Sequence, residues 1–247
     1  MNQKFLVAFY LLFIFFSSFS ILFIHQAMQY GGGSEISIFI LFFPLGYIIY
    51  HRFGFGFFLK TLTLLSVWGL LIEYIGLTTD FPYSQFVYVG SLGYKIFGIL
   101  PWTVALSWVP LMIGSVALIY MVSENKFLRI TLPVLLLVMF DLLLDPVAVN
   151  IGMWKYTKIG VYFGVPVQNF AGWSFSGLVG SLICFYLFQN TEKKDMFGIW
   201  YSFLLSILFW TIIAIGKGLY VPGMFGIILI FVTLVISFKY NEKVSHN

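Results

Sequence analysis

Charge is the scarcest property of this sequence. Only 9% of its 247 residues are Asp, Glu, Lys or Arg, where a soluble domain carries about 25%. Water cannot solvate a surface built from so few ions, and 61% of the residues are apolar and 21% aromatic. The chain therefore reads as an integral membrane protein, all-α in class, a polytopic membrane helix bundle. No polar block is long enough to make a soluble domain, so residues 1–247 are expected to form a single integral membrane domain. Cysteine is nearly absent. Cys184 stands alone in an apolar run, which excludes an internal disulfide and a thiolate metal site. The three histidines, His25, His51 and His246, are scattered at the ends of apolar runs without metal-ligand spacing. A phosphate-cradling loop, a dinucleotide fingerprint and a Ser-His-Asp order are all missing, so neither a cofactor nor a metal is implied. No basic run interleaves with aromatics as a nucleic-acid groove would. The first apolar run, Phe5 to Ile24 behind Lys4, is longer than the ~7–15 residues of a signal-peptide core and is followed by no small-x-small cleavage site. It is read as a retained span.

What the sequence has in abundance is runs near the ~20 residues needed to cross a bilayer. Eight are expected, at roughly 5–25, 36–50, 57–77, 101–122, 128–149, 170–189, 196–215 and 220–238. Only the Lys217 region separates the last two, so seven is the alternative count. The formal charge is +4. With the N-terminus inside, every Lys and Arg except Lys95, Lys155, Lys158 and Lys217 falls on the cytoplasmic side of eight spans. By the positive-inside rule both termini are then cytoplasmic, in a multi-pass protein of the cell membrane.

Against this background three carboxyl groups stand out. Asp141 and Asp145 lie four residues apart, so a continuing helix points both to one face. A charge at bilayer depth costs from about 2.5 to 10 kcal/mol or more, and intramembrane acids are commonly functional. Two carboxyls close together in low dielectric resist double ionisation, which leaves a proton for general-acid work. The bland alternative is a pair of interhelical anchors. Pro146 cannot donate a backbone hydrogen bond and disfavours helix in the residue before it, so α-helix is expected to end or kink at Asp145. At about 1.5 Å rise per residue, Glu73 lies about 24 Å, Asp141 about 20 Å and Asp145 about 26 Å into their spans. All three fall in the half of the membrane away from the cytoplasm. The loops on that side, 78–100 and 150–169, are rich in Tyr and Gly and carry Asp80, Lys95, Gln168 and Asn169. Non-helical backbone at membrane depth must be buried or line a cavity, so these loops are expected to fold over an outward-facing pocket. Glu73 reads equally as interfacial or functional. Asp80 reads as an exposed turn residue and Lys158 as solvated, while Lys155 is either solvated or a counter-charge. Asn169 either caps the sixth span or holds water or substrate. Lys217 is too shallow for a Schiff-base lysine.

The motifs E-x-x-G at Glu73–Gly76, T-x-x-P at Thr79–Pro82, D-x-x-x-D-P at Asp141–Pro146, G-x-W-x-Y at Gly152–Tyr156 and Y-x-G-x-P-x-x-N-F-x-G-W at Tyr162–Trp173 resemble those of the carotenoid biosynthesis membrane proteins typified by bisanhydrobacterioruberin hydratase. The resemblance is carried by a core at about 70–173. At Thr79-Asp80 the chain departs from the family pattern, which favours a small residue such as Gly. The resemblance implies hydration of an acyclic carotenoid end group at its terminal double bond, giving a tertiary alcohol, with no cofactor. It implies Asp141, Asp145 and Glu73 as catalytic. One aspartate would be the acid, and the other, or Glu73, would orient water. Trp154, Tyr156 and Trp173 would shield the cation, and Asn169 would contact substrate or water. The partners implied are a lipid-soluble carotenoid, water, membrane lipid and other enzymes of the same pathway. Two rivals remain: a carotenoid end-group cyclase, and, from another class, a proton-coupled transporter. A purely structural subunit is the minor third.

Overall fold

The structure, a computed structural model, describes residues 3–23 and 33–245. His25 and His246 lie outside the described residues. The chain forms helices α1 (Gln3–Phe23), α2 (Gly33–Thr79), α3 (Val104–Val122), α4 (Lys126–Asn150), α5 (Val167–Phe188), a short α6 (Lys193–Met196), α7 (Tyr201–Gly216) and α8 (Tyr220–Ser245). Strands β1 (Phe86–Tyr88), β2 (Lys95–Ile96), β3 (Leu100–Pro101) and β4 (Trp154–Tyr156) interrupt the loops. It is an all-α membrane bundle, with six helices among the described residues long and apolar enough to cross a membrane.

The run α2 contains two of the expected spans. Gly54, at φ 81° and ψ 167°, leaves helical geometry inside it, so 36–50 and 57–77 lie on two helices joined end to end without a loop. At the other end of the sequence the turn at Lys217-Gly218, with Gly218 at φ 75°, separates α7 from α8. Helix α3 is the centre. Every residue from Trp108 to Met121 is buried, as expected of a helix that is apolar all round, and α2, α4 and α7 pack about it. Its start is later than the expected 101 because Leu100 and Pro101 pair with Ile96 and Lys95 in a small hairpin.

Of the end or kink expected at Asp145, the end is corrected. Helix α4 runs through Pro146 to Asn150. Proline removes the bond that its amide would have given to the carbonyl four residues back, here that of Leu142. The Tyr162 hydroxyl donates to that carbonyl at 3.0 Å. The orphaned acceptor is satisfied from outside the helix, the helix continues, and Asp141 and Asp145 keep their common face.

The two long loops meet over the end of the bundle. Strands β1 and β4 pair antiparallel, with Phe86 opposite Tyr156, Val87 opposite Lys155 and Tyr88 opposite Trp154. Side chains alternate across a strand, so one face of this ribbon carries Phe86, Tyr88, Trp154 and Tyr156, and the other carries exposed Val87 and Lys155. Lys95 donates to the Tyr88 carbonyl at 2.8 Å and ties the following loop to the ribbon. Ion pairs gather at the opposite end, where Lys193 meets Glu124 at 2.8 Å and Arg52 donates to the carbonyls of Asp195 and Phe197.

Candidate functional site

A cavity of about 510 Å³ lies beneath the ribbon. Glu73 of α2 and Asp145 of α4 both line it, so carboxyl groups from two helices share one chamber. Asp145 is 2% exposed and Asp141 is fully buried. Continuity of α4 delivers Asp145 to the cavity and sets Asp141 behind it, out of the lining. Asn169 joins the two, its amide donating to Asp141 Oδ2 at 2.8 Å and to Asp145 Oδ2 at 2.5 Å. It sits inside α5, after an N-cap at Pro166, so the capping role is excluded. The second oxygen of Asp141 is buried without a hydrogen-bond partner among the described residues.

Each cavity-facing carboxyl has a phenol. Tyr156 donates to Asp145 Oδ2 at 2.5 Å, and Tyr88 donates to Glu73 Oε1. Both tyrosines come from the ribbon, and their rings pack edge-on or tilted against their cross-strand partners, Phe86 with Tyr156 at 5.8 Å and Tyr88 with Trp154 at 5.9 Å. Burial, reinforced by the Glu73 carboxyl beside Tyr88 and the Asp145 carboxyl beside Tyr156, holds both phenols well above the ordinary tyrosine value. They stay protonated and remain donors. Trp154 and Trp173 complete the aromatic wall.

Tyr83 forms the remaining side. A Cβ at Gly76 of α2 would stand 2.7 Å from its ring, and one at Gly172 of α5 would stand 2.5 Å from the ring and 2.9 Å from the Pro82 carbonyl. A side chain at either position would force the ring to shift. The glycines of E-x-x-G and N-F-x-G-W are the two jaws of a slot for this ring.

Of the residues singled out in the sequence, Glu73, Asp145, Trp154, Tyr156, Asn169 and Trp173 line the cavity and Asp141 backs it. Lys155, Lys158 and Lys217 are exposed, and Lys155 points away with the outer face of the ribbon. Asp80 is exposed in a turn at φ 66°, a left-handed conformation that Asp tolerates and Gly adopts freely. Tyr88 and Tyr83 were missed. The signal for Tyr88 was available in two aromatic-x-aromatic triplets, Phe86-Val87-Tyr88 and Trp154-Lys155-Tyr156, which are the two halves of the ribbon.

The class of protein defined by the fold and the site is a membrane helix bundle with carboxyl groups, phenols and indoles buried around an apolar chamber. The chain matches the model of the carotenoid biosynthesis protein family over residues 33–233 and belongs to that family. It is 34% identical over 126 residues to bisanhydrobacterioruberin hydratase of Haloarcula japonica, an alignment that covers 49% of this chain and 43% of that protein. The chain thus spans less than half the length of the curated relative it matches. No solved structure matches.

Proposed function

We propose that this chain is a carotenoid end-group hydratase, adding water across the terminal double bond of an acyclic carotenoid to leave a tertiary alcohol. The observation that carries the reading is the pair of carboxyl groups, Glu73 and Asp145, presented by different helices to one buried cavity. Family membership and the name of the Haloarcula japonica relative support the same chemistry.

The reaction divides between the two carboxyls. The Asp141–Asp145 pair holds a proton that two adjoining carboxyls in low dielectric cannot both lose cheaply, and Asp145 is the member facing the cavity. Asp145 gives this proton to the less substituted alkene carbon, and the π electrons form the new C–H bond. The tertiary cation left on the other carbon faces the rings of Trp154, Tyr156 and Trp173, whose π-faces attract positive charge. Water attacks the cation through an oxygen lone pair, and Glu73, held by Tyr88, takes the proton that this water releases. Return of that proton to Asp145 restores the site, so one water is added with no change of oxidation state overall. Asp141 touches no reacting atom; it is a positioning residue acting through Asn169.

Expression in a host that accumulates an acyclic carotenoid tests the reading. Mass spectrometry of the pigment is expected to show a product one water heavier for each end that reacts. A product of unchanged mass with altered absorption would indicate the cyclase instead, and unaltered pigment would remove both.

A further inference from the structure

We propose that the cavity opens sideways into the hydrocarbon between α1 and the first half of α2, and that this seam is the portal in which the polyene tail of the substrate lies while its end group occupies the carboxyl chamber. The inference rests on the hydration reading for its substrate class, but the location of the mouth comes from geometry alone. The cavity wall runs from Glu73 and Asp145 across to α1 and α2, where Phe16 and Ile36 join the lining. Among the described residues every other one in the lining is buried or half-buried, the ribbon included, whereas Phe16 is 62% and Ile36 59% exposed. Residues that face both the chamber and the outside stand at its opening. Around them the outer surface is apolar, with Phe15, Phe19, Phe39 and Phe43 exposed on the same two helices. An opening framed by such side chains faces lipid tails, not water.

Volume requires a portal of this kind. Water occupies about 30 Å³ in the liquid, so about 510 Å³ accommodates an end group and a few waters. A polyene several dozen carbons long cannot be enclosed, and its remainder must pass through a mouth into an apolar phase. Ser17 and Ser37 flank the opening from the two helices, and the Ser17 hydroxyl donates to the Phe13 carbonyl of its own helix, which satisfies its donor in a passage for hydrocarbon.

The test uses the full chain in lipid nanodiscs with two substrates, a full-length acyclic carotenoid and a short acyclic isoprenoid carrying the same end group. Ile36→Trp, which narrows the mouth, is expected to slow the long substrate at least tenfold and the short one less than twofold. Phe16→Ala, which widens it, is expected to speed the long substrate at least twofold and the short one less. Equal effects on both substrates in both variants would overturn the portal. A wild-type chain that converts neither substrate would instead overturn the hydration reading. In that event the portal stands or falls on labelling by a photoactivatable polyene, expected on α1 and the first half of α2; labelling confined to other helices would refute it.

Discussion

At the residue scale, the proposed hydration divides its work between two carboxyls with different surroundings. Asp145 and Glu73 face the cavity, so Asp145→Asn and Glu73→Gln are each expected to lower conversion about 100-fold or more, the range for loss of a general acid or base, with the protein still folded and able to copurify with carotenoid. Asp141→Asn keeps a partner for Asn169 and is expected to cost only about tenfold. Full product formation in Asp145→Asn, read by chromatography of the pigments, would overturn the assignment. A pH effect follows from the two phenols. Burial and the adjoining carboxyls hold Tyr88 and Tyr156 above their unfolded value, which is about 10. Their contribution to stability is therefore whole below pH 10. It is lost as pH rises beyond that, because the unfolded chain then releases protons the folded one retains. Melting temperatures in detergent are expected to fall above pH 10, with a shallower fall in Tyr88→Phe.

The decisive element is α4. A proline four residues from the carbonyl it strands ought to end the helix, yet Tyr162 supplies the missing donor. Leaving that carbonyl unpaired costs on the order of 1–3 kcal/mol, so Tyr162→Phe is expected to destabilise the protein by about that amount and to disturb Asp145, one turn away. Thermal unfolding together with product yield checks both. The slot for Tyr83 joins α2 to α5 in the same manner. Gly76→Ala drives a Cβ to 2.7 Å from the ring, and overpacking of this kind costs about 1–3 kcal/mol. Combined with Tyr83→Leu, which removes the clashing ring, the loss is expected to be partly recovered, a non-additivity that unfolding measurements would reveal. Strict additivity would mean that the ring and the glycine do not meet.

For the whole molecule, the arrangement has a polar, ion-paired end and an aromatic, carboxyl-bearing end. Helix alternation places Arg52, Glu124 and Lys193 at the first and Glu73, Asp145 and the ribbon at the second. With the basic residues concentrated at the first end, that end is expected in the cytoplasm, and reporter tags at both termini are expected to be accessible there and shielded from the outside. A tag found on the opposite side would reverse the orientation and move the candidate site to the inner leaflet.

Composition and spacing alone determined the helical membrane class, because a chain with 9% charged residues has no other way to satisfy its backbone than helices or a barrel in lipid, and its long apolar runs suit helices. They also singled out the acids that the proposed function uses, because a carboxyl in an apolar run is costly. Tertiary structure decided what local rules could not reach. Pro146 breaks a helix by local propensity, and only a hydroxyl sixteen residues further along the chain reverses that outcome. The phenols that hold Glu73 and Asp145 reach them because two short strands, far apart in sequence, find each other and turn one face inward. Which aspartate meets the cavity and which stands behind it depends on how α4 rotates against its neighbours, a matter of packing among helices that no single helix encodes.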